Sequence, residues 1–145
     1  LTTGRRIPVY FHSEHRQLPW CRELWPVPRV EINPKDALEL GIEQGDWVWI
    51  ESPWGKVREV LDLYYGISKG VVNANHAWWF PEEDGSEPNL YGNFRSNINN
   101  LLPNGHMGKL GFGAPNKCLI CNIEPVSESY DTDMAVVWEK FGKLV

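Results

Sequence analysis

Val30-Glu31-Ile32-Asn33-Pro34-Lys35-Asp36-Ala37-Leu38-Glu39-Leu40-Gly41-Ile42 is the stretch on which the fold turns. Its first three residues alternate apolar, acidic, apolar, which is the period of a half-buried strand. Asn33 then offers a side-chain oxygen to cap a helix, and Pro34 carries a backbone already set for the first helical position. Gly41 supplies the left-handed residue that ends the helix after about two turns. Downstream, Gly45-Asp46 is a turn, and residues 47–52 and 56–64 read as two strands joined by the hairpin Pro53-Trp54-Gly55-Lys56. Gly70 precedes a further strand, Val71-Val72-Asn73-Ala74, and alternation returns from Cys118 to Glu124 as a closing strand. Upstream, Ile7 to Phe11 is a short β-prone run ending on His12-Ser13, and the stretch through Pro19, Pro26 and Pro28 reads as an irregular connection. Met134, Val137, Trp138 and Phe141 recur at i, i+3, i+4 and i+7 after Asp131-Thr132-Asp133, the pattern of an amphipathic C-terminal helix.

Several short strands around one early helix, closed by a late strand, suggest a small β-barrel with long excursions. The chain of 145 residues suits a single domain spanning 1–145, with residues 127–145 as a tail and helix. With 42% apolar and 23% charged residues, it has the composition of a folded soluble domain, and no apolar run is long enough to cross a membrane. A net charge of −5 argues against nucleic acid as a partner, because phosphate neutralisation dominates that affinity. The chain opens on Leu1 and enters structure almost at once, so the expectation is a piece of a longer protein. Missing targeting signals then say nothing about compartment, although three cysteines without a disulfide spacing favour a reducing one. An exported parent stays open.

Carboxylates are distributed unevenly. Residues 1–13 contain none, yet hold Arg5, Arg6 and His12, with Arg16 close behind. Residues 88–123 also contain none, while carrying Arg95, Lys109, Lys117, His106 and a run of asparagines that includes Asn97, Asn99 and Asn116. Two loops meeting around a phosphate-bearing ligand would produce this pattern, with cations and amides supplying charge and hydrogen bonds. Chance clustering in polar loops would produce it as well. The stretch from 80 to 117 far exceeds a usual connection of about 4–6 residues, and Leu90, Tyr91, Phe94, Ile98, Leu101 and Leu102 favour an ordered, ligand-covering loop.

Other features read more plainly. Trp47-Val48-Trp49-Ile50 is a core strand, since Asp46 and Glu51 stand where a base-stacking surface would need cations. Cys118 and Cys121 could form half of a zinc site with Cys21 and His106. Within a strand, however, their thiols fall on opposite faces, so buried cysteine is the expectation and no metal ligand is assigned. Ser13 beside His12 and His15 lacks the surroundings of a hydrolase nucleophile, and no catalytic residue is assigned.

Thr3-Gly4-Arg5, Tyr10-Phe11-His12-Ser13, the stretch from Val30 to Ile42, Gly45-Asp46-Trp47-Val48, Ser52 and Gly55 resemble one known family. Trp78-Trp79, Asn97-Ile98-Asn99 and Ala114-Pro115-Asn116-Lys117 continue the likeness. It is the C-terminal domain of the molybdopterin oxidoreductases, the dimethyl sulfoxide reductase family. Tyr10 to Trp20, the Trp54 hairpin and Gly111-Phe112-Gly113-Ala114-Pro115 resemble its acetylene hydratase branch. The resemblance implies a double-psi β-barrel that binds one molybdopterin guanine dinucleotide and helps close an active site. Molybdenum or tungsten would be held through the pterins, with any protein ligand and an iron–sulfur cluster lying in other domains of the parent enzyme. Electron-transfer subunits are possible partners, and direct membrane insertion is not expected. The same likeness implies cofactor contacts from Gly4, Arg5, His12, Ser13 and Arg16 in the early loop, His76 at a strand end, and Asn97, Asn99, Asn116 and Lys117 in the late loop. Double-psi barrels also serve as non-enzymatic adaptor modules, the second function class to weigh.

Overall fold

A computed structural model describes residues 1–5, 7–105, 108, 111, 117–128 and 133–143, with Arg5 described as backbone. The strands are β1 (Thr2–Arg5), β2 (Arg29–Ile32), β3 (Trp47–Ser52), β4 (Gly55–Leu63), β5 (Asn73–Asn75) and β6 (Asn122–Pro125). The helices are α1 (Pro19–Leu24), α2 (Pro34–Leu40), α3 (Asn93–Ser96) and α4 (Met134–Phe141). The strands form one mixed sheet in the order β1-β5-β2-β4-β3-β6. β1 runs parallel to β5 and β2 parallel to β4, while the β5–β2, β4–β3 and β3–β6 pairs are antiparallel. Among the described residues the ladder does not close into a barrel. Just outside its two edge strands, the Leu1 amine donates to the Leu119 carbonyl at 2.5 Å and the Leu119 amide donates back at 3.1 Å.

The deciding stretch folds as its residues dictate. Asn33 Oδ1 accepts from the Lys35 amide at 2.9 Å, and Gly41 ends α2 at φ 68°. Val30, Ile32, Val48, Ile50, Val57 and Leu61 bury one continuous apolar layer, closed by Ala37 and Ile42 from the α2 side. Ile98 and Leu101 from the late excursion enter the same core, each fully buried. That anchoring is why residues 89–102, rich in asparagine, hold a defined path.

Three sequence expectations need correction. The first strand is Thr2–Arg5, and residues 7–11 form turns because Pro8 interrupts a ladder that β5 already supplies. Pro19 starts helix α1 instead of extending an irregular connection, since proline suits a first helical position; two helices rather than one therefore precede β3. The closing strand begins at Asn122, leaving Cys118 exposed and Cys121 half-buried rather than both enclosed.

Candidate functional site

Because β1 and β5 are parallel, their C-terminal ends, Arg5 and Asn75, stand side by side and release two loops in one direction. A buried polar knot fixes that end. Asn75 Oδ1 accepts from the Arg29 amide at 2.8 Å and from Trp25 Nε1 at 3.2 Å, and the Asn75 amide donates to Glu59 Oε2 at 3.1 Å. Arg16, 1% exposed, joins the two loops: its guanidinium donates to the His12 carbonyl at 2.9 Å and the His76 carbonyl at 3.1 Å. It also lies over the rings of Tyr10 and Trp78, each 4.9 Å from the centroid. Burial lowers the Arg16 pKa to about 10. Behind it, fully buried Arg22 forms a two-pronged pair with Glu82, at 2.8 and 3.0 Å. Trp79 Nε1 donates to the Ser13 carbonyl at 2.7 Å, a further tie between the loops.

The late loop is shaped by its own asparagines. Asn97 Oδ1 accepts from the Asn99 amide at 3.1 Å, while Asn97 Nδ2 donates to Asn93 Oδ1 at 2.5 Å. Asn100 Nδ2 donates to the Asn93 carbonyl at 2.9 Å. From the other side the β3–β4 hairpin supports this turn. Ser52 Oγ donates to the Leu101 carbonyl at 2.9 Å, and a Cβ on Gly55 would stand 2.7 Å from the Asn100 carbonyl oxygen. Only glycine allows so close a backbone approach.

Between the loops lies a cavity of about 390 Å³ lined by Ser13, Ala77, Trp79, Leu90, Tyr91, Asn93, Asn97 and Asn99. No carboxylate lines it. Ala77 (φ 52°), Leu90 (φ 45°) and Tyr91 (φ 57°) hold left-handed backbone without being glycine, as does His12 (φ 50°) beside Ser13. Such conformations each cost on the order of 1–3 kcal/mol and persist where surrounding contacts over-determine them. A second, slightly larger cavity of about 400 Å³ opens at the other end of the sheet, among Ile32, Leu40, Gly70, Val72 and Cys121. Asp36, Glu39 and Glu124 line that one, the wrong sign for a phosphate.

The residues expected from the sequence divide into three groups. Ser13, Asn97 and Asn99 meet at the first cavity. His12 and His76 flank it, with ring centroids 6.0 Å apart. Gly4 and Lys117 form a neighbouring spot on β1, where a Cβ on Gly4 would lie 3.4 Å from Lys117 Nζ and 3.9 Å from Asn73 Oδ1. Among the described residues no carboxylate pairs with Lys117, which is exposed. Arg16 donates to protein carbonyls through both terminal guanidinium nitrogens, while its buried Nε has no partner among the described residues, so here it holds loops together rather than facing outward. Asn97 likewise holds the turn, leaving the exposed Asn99 amide as the more available group. Arg5 sits at the end of β1 as backbone; Asn116, with Arg6, His106 and Lys109, lies outside the described residues. Leu90 and Tyr91, expected in a ligand-covering loop, are walls of the cavity, whereas reading the sequence for polar groups did not assign Ala77 or Asn93 as walls. The crowding of asparagine between 89 and 100 could have signalled Asn93, while nothing in the sequence signalled Ala77.

The pieces present suit a ligand with anionic and hydrogen-bonding edges: an acid-free cavity lined by exposed Ser13 and Asn99, and a lysine beside a glycine on a strand. The chain belongs to the molydopterin dinucleotide binding domain family, whose model matches residues 1–111. It is a molybdopterin dinucleotide-binding domain of the dimethyl sulfoxide reductase class of molybdoenzymes. Over 81 residues, 56% of the chain, it is 80% identical to dopamine dehydroxylase of Eggerthella lenta. Over 85 residues, 59% of the chain, it is 31% identical to acetylene hydratase of Syntrophotalea acetylenica. These matches cover 8% and 12% of the two relatives, so the chain spans a small part of their length. The solved acetylene hydratase from Pelobacter acetylenicus shares the fold, with a TM-score of 0.76 at 24% identity over 85% of this chain and 18% of that one.

Proposed function

We propose that the cavity between the early and late loops, with the Gly4–Lys117 spot beside it, holds one molybdopterin guanine dinucleotide. The observation that carries this reading is the meeting of Ser13, from the early acid-free stretch, with Asn97 and Asn99, from the late one, around about 390 Å³ without a carboxylate. In this reading the Lys117 ammonium neutralises diphosphate charge, and Gly4 leaves room for the ligand against β1. Ser13 and Asn99 meet polar edges of the ligand, and Arg16 keeps both loops in register from beneath. His12, His76, Arg5 and Asn116 complete the two loops around it. When bound, the dinucleotide carries molybdenum or tungsten on its dithiolene and so supplies the redox or Lewis-acid centre. This chain's own part is to bind, orient and cover that group.

The same reading makes the chain one domain of a larger enzyme. The metal ligand and an iron–sulfur cluster come from its other domains, electron-transfer subunits are candidate partners, and the sheet closes there as a double-psi barrel along the Leu1–Leu119 contact. The 80% identity to a dopamine dehydroxylase over 81 residues favours a dehydroxylase as the parent activity. Turnover of dopamine by the full-length protein with a reduced dye tests that part; turnover of acetylene instead would overturn it.

Asn99→Asp tests the site. The replacement keeps shape and adds a negative charge where a phosphate-bearing ligand is expected. Pterin content per polypeptide in the full-length protein should fall about tenfold or more, with thermal stability almost unchanged. Full pterin content would overturn the assignment.

A further inference from the structure

Helix α4 lies beyond the residues that the family model matches, yet it packs against the back of the proposed site. Val137 is fully buried. Trp138 Nε1 donates to Glu23 Oε1 at 2.7 Å, fastening the helix to α1. Lys140 Nζ donates to the Pro81 carbonyl at 2.9 Å, fastening it to the segment that follows β5. Between the helix and that segment is a third cavity of about 310 Å³, lined by Gln17, Trp79, Pro81, Tyr91, Lys140 and Phe141. Trp79 and Tyr91 line this rear cavity and the dinucleotide cavity alike. Their rings, 5.5 Å apart at 74°, are therefore a shared wall with space on both sides.

A wall with empty space behind it has no packing to stop it from moving back. The Trp79 Nε1 bond to the Ser13 carbonyl holds the wall at the front, the Tyr91 amide donates to the Asp84 carbonyl at 2.9 Å, and further attachments limit the segment that carries it. The Phe80 amide donates to the Tyr91 carbonyl at 2.8 Å, which ties the strand-end segment to the late loop. Lys140 holds the next residue of that segment, Pro81, by its carbonyl. Gly85 lies directly beneath the Tyr91 ring, where any Cβ would collide with it, so the ring's place is fixed from below as well.

We propose that α4 is a positioning element for the dinucleotide site: Lys140, acting through Pro81, holds the Trp79–Tyr91 wall forward against the ligand. Lys140 and Phe141 touch no part of the proposed cavity themselves. The proposal rests on that cavity being the dinucleotide site, and it makes a segment outside the shared family region a determinant of cofactor retention.

The test uses the full-length protein and measures pterin retained per polypeptide after dilution, with thermal melting in parallel. Lys140→Met removes the donor while keeping an unbranched apolar stem, and should cut retention about three- to tenfold with melting shifted by little. Lys140→Arg should restore most of it. Gly85→Ala, which displaces the Tyr91 ring from the other side, should cut retention in the same direction. Retention unchanged in Lys140→Met, while Asn99→Asp still loses pterin, overturns the role of α4 and leaves the site assignment standing. Retention unchanged in both overturns the site itself. Retention lost only in proportion to lowered melting, without rescue by arginine, makes Lys140 an ordinary stabilising contact and also overturns the proposal.

Discussion

The two ends of the sheet are built by different rules. At the α2 end, Asn33 caps, Pro34 starts, Gly41 stops, and Asp36 accepts from the Gly70 amide at 2.7 Å; its ion pairs, Lys69 with Glu39 and Asp36, sit at the surface. At the β1/β5 end, Arg16, Arg22 and Glu59 are buried, and five non-glycine residues hold left-handed backbone. One end satisfies local preferences and surrounds a cavity with carboxylates. The other overrides local preferences through contacts far apart in sequence and keeps its cavity free of acids. Local rules build the scaffold here, and the departures from them gather where the ligand is proposed to sit.

The largest difference should come from breaking one ion pair at each end. Glu82→Ala leaves Arg22 charged and fully buried, and should cost about 3–5 kcal/mol in chemical denaturation. Glu39→Ala, at the exposed Lys69 pair, should leave the denaturation midpoint almost unchanged. The double replacement Arg22→Met with Glu82→Leu should recover much of the loss, because the cost lies in the unpaired charge. Equal losses from the two single variants would erase the contrast.

Two glycines sharpen it further. Gly55→Ala pushes a methyl against the Asn100 carbonyl and should cost about 1–3 kcal/mol, and it should also lower pterin retention by tilting the turn that carries Asn97 and Asn99. Gly41→Ala meets nothing within 4 Å and has only its left-handed backbone to strain, so about 1 kcal/mol is expected with retention intact. Denaturation midpoints beside pterin content separate these outcomes. Asn33→Ala should likewise cost about 1 kcal/mol, through the lost cap and the lost bond to the Ile67 carbonyl, and leave the site untouched.

The same contrast explains what could be read from the chain alone. The path from Val30 to Leu63 was legible almost residue by residue, since cap, stop, alternation and hairpin are signals carried by neighbours. The run Ile7 to Phe11 misled because its β-prone side chains carry no mark of the turns they occupy or of the strand Thr2–Arg5 just before them. Acid-free composition pointed to the stretches that supply Ser13, Asn97 and Asn99. It could not separate Asn99, which presents its amide, from Asn97 and Arg16, which donate to groups inside the protein, because those partners lie in other elements or within the folded turn. Arg22 and Glu82 are 60 residues apart and gave no signal at all.

Hydrogen exchange on the full-length protein, with and without its molybdopterin dinucleotide, tests the central claim most directly. Backbone amides of residues 12–18, 76–80 and 90–101 should gain protection on loading, while those lining the acidic cavity at Leu40, Gly70 and Cys121 should not change. Protection at Leu40, Gly70 and Cys121 with none at 90–101 would place the ligand at the opposite end of the sheet and contradict the account.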